Sequence, residues 1–180
     1  MKKTILFTLL SSLLLITTAQ TANATQADLD SDIQYYAEVF SGNNFSQQRS
    51  AMKNLVWAGI SSPKVYDSIA DKLASSKESK NKEEIEKASW YAKAIALSGN
   101  EKYRTLLIDI SGNAQSPKLR KYTKKALTRL DKYIAWNPTI SQNLIAAPSG
   151  KLEEQRVKNM LGANDLELVR TGAKLSLIHI

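Results

Sequence analysis

The chain has no cysteine, and its single histidine, His179, stands next to the last residue. The missing thiols exclude disulfides, thiolate metal sites, cysteine nucleophiles and a lipid-modified cysteine in one step. With histidine confined to the very end, Ser-His-Asp sets and the usual zinc sites have no raw material in the rest of the chain. There is no phosphate-cradling loop either: Gly99-Asn100-Glu101-Lys102 lacks the preceding strand and the second glycine of a P-loop. No cofactor motif is present. After the first 24 residues, no stretch is apolar enough to span a membrane.

Those first 24 residues have the order of a secretory signal peptide. Met1-Lys2-Lys3 supplies a positive start, Ile5 to Ile16 an apolar run too short to cross a bilayer, and Ala22-Asn23-Ala24 a small-x-small cleavage pattern. An uncleaved anchor would need about 18 or more apolar residues. Cleavage is therefore expected after Ala24, with the mature protein in the periplasm or secreted. Cleavage removes two lysines from a chain of formal charge +8 and leaves it basic. The remaining part has the size of one domain with a real core. Without disulfides, packing alone must hold it.

At the other end, Leu175-Ser176-Leu177-Ile178-His179-Ile180 is an abruptly apolar run after a charged segment. It resembles the in-frame translation of a transposase adapter used in preparing sequencing libraries. The expectation is that residues 175–180 are such a tail, that native sequence ends near Lys174, and that the gene continues beyond it. The competing reading is a genuine C-terminal element docked on the domain.

Between these ends apolar residues recur at helical spacing, and no run alternates as a strand does. The spacing predicts an all-α domain over 25–174. Leu29, Ile33, Tyr36, Ala37 and Phe40 form a stripe that stops at Gly42; Ser46 is a candidate cap for a helix carrying Met52, Leu55, Val56 and Trp57, with Gly59 as its left-handed terminator. Ser62-Pro63 starts a third helix with Val65, Ile69 and Leu73 inward. Residues 75–82 have no apolar residue and read as an exposed loop. Ile85, Ala88, Ala92, Ile95 and Ala96 mark a fourth helix ending at Gly99, and Tyr103, Leu106, Leu107 and Ile110 a fifth ending near Gly112. Ser116-Pro117 starts a sixth, with Leu119, Tyr122, Ala126, Leu130 and Tyr133 or Ile134 inward, and Trp136-Asn137-Pro138 is expected to stop it. Residues 139–150 are expected to be irregular. A seventh helix follows over 151–161, ending at Gly162, and an eighth begins near Asp165 with Leu166 and Val169.

Two features repeat. Ser62-Pro63-Lys64-Val65 and Ser116-Pro117-Lys118-Leu119 share the cap, the proline, the lysine and an apolar anchor, and Trp57-Ala58-Gly59, Leu97-Ser98-Gly99 and Met160-Leu161-Gly162 each end a helix before a short turn. On these residues the stretch 46–174 resembles HEAT-type repeats of the α-solenoid class that includes armadillo proteins, although the glycines recur irregularly. The resemblance implies stacked helix pairs with a concave face for ligands; an irregular helical bundle is the alternative. Because neighbouring repeats bury one another, a truncated final pair would leave one face open.

Carboxylates are the remaining acid–base candidates: Glu83, Glu84, Asp109, Asp131, Glu153 and Glu154. The spacings Glu83 to Lys87 and Glu154 to Lys158 are those of ordinary surface helix pairs. The sharpest positive feature is a basic stripe on the sixth helix, Lys118, Lys121, Lys125, Arg129 and Lys132, with Arg120 and Lys124 beside it and Asp131 the lone acid. Such a stripe suits an anionic partner, or is the solvated face opposite the buried one. Trp57, Trp90 and Trp136 are expected in packing, with a ligand groove as the minority reading.

The functional expectation is a non-enzymatic module for protein–protein interaction or scaffolding in the periplasm or cell envelope, binding a protein partner without a cofactor. Two alternatives stand beside it: a cell-wall enzyme using a lone carboxylate, and an anionic-surface binder acting through the sixth helix. Nucleic acid is disfavoured as a partner outside the cytoplasm.

Overall fold

A computed structural model describes residues 26–177. The segment expected to be a signal peptide, the cleavage point expected after Ala24, and His179 lie outside the described residues. Among the described residues there is no strand. Eight helices follow one another: α1 (26–41), α2 (Phe45–Ala58), α3 (Pro63–Ser75), α4 (Lys82–Leu97), α5 (Arg104–Asn113), α6 (Pro117–Ile140), α7 (Leu152–Leu161) and α8 (Leu166–Ser176). Single 3-10 turns, Glu101–Tyr103 and Leu144–Ala146, precede α5 and α7. The fold is all-α, and no helix among the described residues is long and apolar enough to cross a membrane. The boundary expected at Lys174 falls inside α8.

The inward stripes form the core: Phe40, Met52, Leu55, Val65, Ile69, Leu73, Ile95, Leu107, Ile110, Leu119 and Leu130 are all at or near zero exposure. Three helices of this set lie side by side and run in the same direction. Lys118 pairs with Glu86 near the starts of α6 and α4, and from the middle of α4 Tyr91 donates its hydroxyl hydrogen bond to Gln48 in the first turn of α2. Near their ends, Tyr133 of α6 donates to the Val56 carbonyl of α2, and Asn137 of α6 donates to the Leu97 and Ser98 carbonyls of α4. Among α2 to α8, the α4–α6 contact is the most extensive, followed by α5–α6. Helices α3 and α5 alternate with this row and touch each other. The chain also meets itself across its length, since Arg156 of α7 pairs with Asp32 of α1 at 2.9 Å and α7 touches α2.

Several expectations are corrected. The cap of α2 is Asn44, whose side chain accepts from the Gln47 amide, and Ser46 lies inside the helix. Ser116 caps α6 through its hydroxyl, but Ser62 makes no such bond, so the repeated Ser-Pro start is half side-chain cap and half proline alone. Gly59 is left-handed at φ +63° as expected, Gly99 is left-handed too at φ +54°, and Gly162 ends α7 as expected, at φ −85°. Tyr122 is 44% exposed and Leu166 72%, and Leu168 is the residue that α8 buries.

The largest correction concerns Pro138, which does not stop α6: the helix continues to Ile140. The residue before it, Asn137, is buried, and its side-chain amide reaches the Leu97 and Ser98 carbonyls and the Ser61 hydroxyl at 2.8–3.1 Å. These carbonyls end α4 and have no partner within their own helix. Satisfying them holds Asn137 in helical geometry against the local preference of a pre-proline residue. Residues 139–150 are less irregular than expected, holding the last two residues of α6 and a 3-10 turn that buries Leu144, with Ala147 buried just after it.

Candidate functional site

The five cations of the predicted stripe have three different fates. Lys118 is paired with Glu86 across the α4–α6 contact, which raises its pKa and lowers that of Glu86. At the far end Lys132 pairs with Glu167 of α8 and lies 5.6 Å from the ring centre of Trp136. Lys121 is exposed and lines neither of the cavities described next. The middle pair, Lys125 and Arg129, converge with Lys93 of α4 on two adjoining cavities. Arg120 is occupied elsewhere, donating to the Ala114 and Gln115 carbonyls ahead of α6.

The first cavity, about 500 Å³, has an apolar side of Val56, Leu97, Tyr133 and Trp136 and a cationic side of Lys93, Lys125, Arg129 and Lys132, with Glu167 and Thr171 of α8 at one end. The second, about 340 Å³, lies between Trp90 and Tyr122 and shares Lys93, Lys125 and Arg129 with the first. Together they make a groove along the α4–α6 contact. Lys93 is drawn into it: burial, then the Arg129 and Lys53 charges, depress its pKa below the usual lysine value. Arg49 and Lys53, one turn apart on α2, extend the cationic surface, and both Arg49 and Lys93 sit over the Trp90 ring, 4.7 and 4.8 Å from its centre. Trp90 therefore serves as a polarisable spacer for cations. Among the described residues, none of Arg49, Lys53, Lys93, Lys125 and Arg129 has an acid within ion-pair distance.

No family model, no curated protein and no solved structure matches this chain.

The carboxylate candidates are dispersed. Glu83 pairs with Lys87 at 2.7 Å, as the spacing predicts, while Glu154 pairs with Lys151 and not with Lys158. Asp131 takes Arg104 of α5 at 2.7 Å. Asp109 accepts from Asn113 and from Lys77, which together lower its pKa, and Lys87 lowers that of Glu83. A general acid needs the opposite shift. Glu153 lies by a separate cavity of about 330 Å³ with Asp28, Asp32, Tyr36 and Arg156; there burial first and Asp32 second push the Tyr36 phenol up to about 12.

The sequence alone does not mark Lys93, Arg49 and Lys53 as site residues, and of the three tryptophans read first as packing it is Trp90 that lines the groove between cations. The signal on α2 and α4 is slight, two cations four apart and a Trp-x-x-Lys step. Only the parallel packing of the three helices makes them one surface.

Proposed function

We propose that the protein is an exported, non-enzymatic binding module of the periplasm or cell envelope that takes an anionic partner in the α4–α6 groove. One observation carries this reading: Lys93, Lys125 and Arg129 converge on shared cavities without an ion pair among the described residues, the two acids that also line those cavities, Glu86 and Glu167, being paired with Lys118 and Lys132. Like charges held together raise the free energy of the unliganded protein, and a bound anion relieves that cost. The export part rests on the first 24 residues alone.

The parallel row α2–α4–α6, with α3 and α5 alternating beside it, supports a HEAT-like arrangement of helix pairs, in which such a row presents one face to ligands. The α1–α7 and α2–α7 contacts favour the bundle alternative at the ends, because repeats in an open stack touch only their neighbours. In both arrangements the groove is intact.

Titration of the purified protein with long-chain inorganic polyphosphate at increasing salt tests the binding reading. The expected result is binding that weakens steeply with salt and falls at least about tenfold in the double variant Lys125→Glu, Arg129→Glu. Binding that is insensitive to both changes excludes the groove.

A further inference from the structure

Resting on that reading, we infer that the occupant of the groove is an acidic amphipathic segment of a partner protein, with its carboxylates on Lys93, Lys125 and Arg129 and its apolar side chains against the partly exposed Val56, Trp90 and Tyr122. The chain supplies its own example of this recognition. At the α8 end, two carboxylates flank the groove on the first residues of a helix: Glu167 pairs with Lys132, and Asp165 accepts from the Trp136 indole N–H at 3.0 Å. Both acids come from one short peptide stretch, Asp165-Leu166-Glu167-Leu168, in which charged and apolar residues alternate and Leu168 is buried. Beyond Glu167 α8 has no acid, while the cations of α6 continue with Arg129 and Lys125.

The spacing of the unpaired cations fits a peptide. Lys125 and Arg129 are four residues apart on α6, about 6 Å along its axis, and carboxylates four apart on a facing helix have the same rise. Arg129 offers a planar fork suited to a carboxylate, and the lysines act as point charges beside it. The apolar wall takes one or two side chains, the volume of the first cavity being about 500 Å³. A bilayer surface is too broad to enter a cleft of that size. A bare phosphate chain leaves the exposed apolar surface of Val56, Trp90 and Tyr122 uncovered.

The experiment is fluorescence anisotropy of the purified protein with three labelled probes: a synthetic helix bearing Glu at i, i+4 on one face and Leu on the other, its Gln-for-Glu counterpart, and inorganic polyphosphate. Phosphatidylglycerol vesicles are added in a co-sedimentation arm. The inference expects the Glu peptide to bind, the Gln counterpart to bind at least about tenfold more weakly, and Lys125→Glu with Arg129→Glu to remove the difference. A circular dichroism melt matching the parent protein certifies that this variant is folded. Equal binding of the Glu and Gln peptides, or Glu-peptide binding indifferent to Lys125 and Arg129, overturns it. Polyphosphate or vesicle binding that depends on Arg129, with no Glu-peptide binding, overturns the peptide inference and leaves the anion-binding reading standing. Failure of every probe removes both.

Discussion

The α4–α6 contact is closed at one end and open in its middle, although the same two helices run through both. At the C-terminal end of α4, Gly99 brings the α6 backbone so near that a Cβ would stand 2.3 Å from the Tyr133 carbonyl oxygen, and the Asn137 amide fills the remaining polar space. Less than two turns earlier, Lys93 faces Arg129 across a cavity. Small and polar-matched residues draw the helices together at one end; long like-charged ones hold a groove open in the middle. The closed end is where the fold is secured, and the open middle is where charge is carried without any structural return. This division separates residues whose loss unfolds the protein from residues whose loss empties the groove.

The strongest way to break the comparison is Gly99→Ala. The residue sits at φ +54°, a region costly to any Cβ-bearing residue, and the added carbon meets main chain, which cannot swing aside as a side chain would. The expected loss is about 3 kcal/mol or more, read as a drop in the midpoint of urea unfolding followed by circular dichroism. A variant within about 0.5 kcal/mol of the parent protein would mean the closed end does not secure the fold.

Next in size, and opposite in sign, is Lys93→Met. Methionine keeps the length and much of the packing of the lysine stem while removing a charge that is partly desolvated and faces Arg129 and Lys53. Stability is expected to rise, on the order of 0.5 kcal/mol after allowing for solvent screening, while anion binding falls. The pH dependence follows from the direction of the shift. The folded state holds the lysine pKa below its ordinary value, so the cost is fully present at neutral pH and fades as pH rises through the lowered folded value toward 10.5. Unfolding of both proteins at neutral and alkaline pH should therefore show a gap in favour of the methionine variant that narrows with rising pH. A constant gap would assign it to packing instead of charge.

Helix existence was legible in the sequence because apolar spacing survives into the core: Val65, Ile69 and Leu73, or Leu119 and Leu130, are buried as the stripes require. The end of α6 was not, because the Asn137 contacts that override the proline rule join residues 39 and 40 positions apart along the chain. The cationic stripe was likewise half legible. Its α6 members recur every three or four residues in one helix, and periodicity finds them; which of them are neutralised depends on Glu86 and Glu167, acids of other helices. Trp90 and Lys93 belong to a helix with an ordinary surface pattern and acquire meaning only across the contact with α6.

The smallest expected effect sharpens the boundary of the groove. Lys118 belongs to the same stripe as Lys125 and Arg129, but its ammonium is committed to Glu86, and both side chains are about half exposed. An exposed pair of this kind adds little to stability, because solvent screens it and two long side chains must be ordered to form it. Lys118→Gln should leave the unfolding midpoint unchanged within error and weaken polyphosphate binding less than Arg129→Gln does. If the two variants weaken binding equally, the helix acts as a uniform charged face. If only Arg129 matters, the acids at the two ends of the stripe define the site, because a cation already answered by its own chain has little attraction left to offer a ligand.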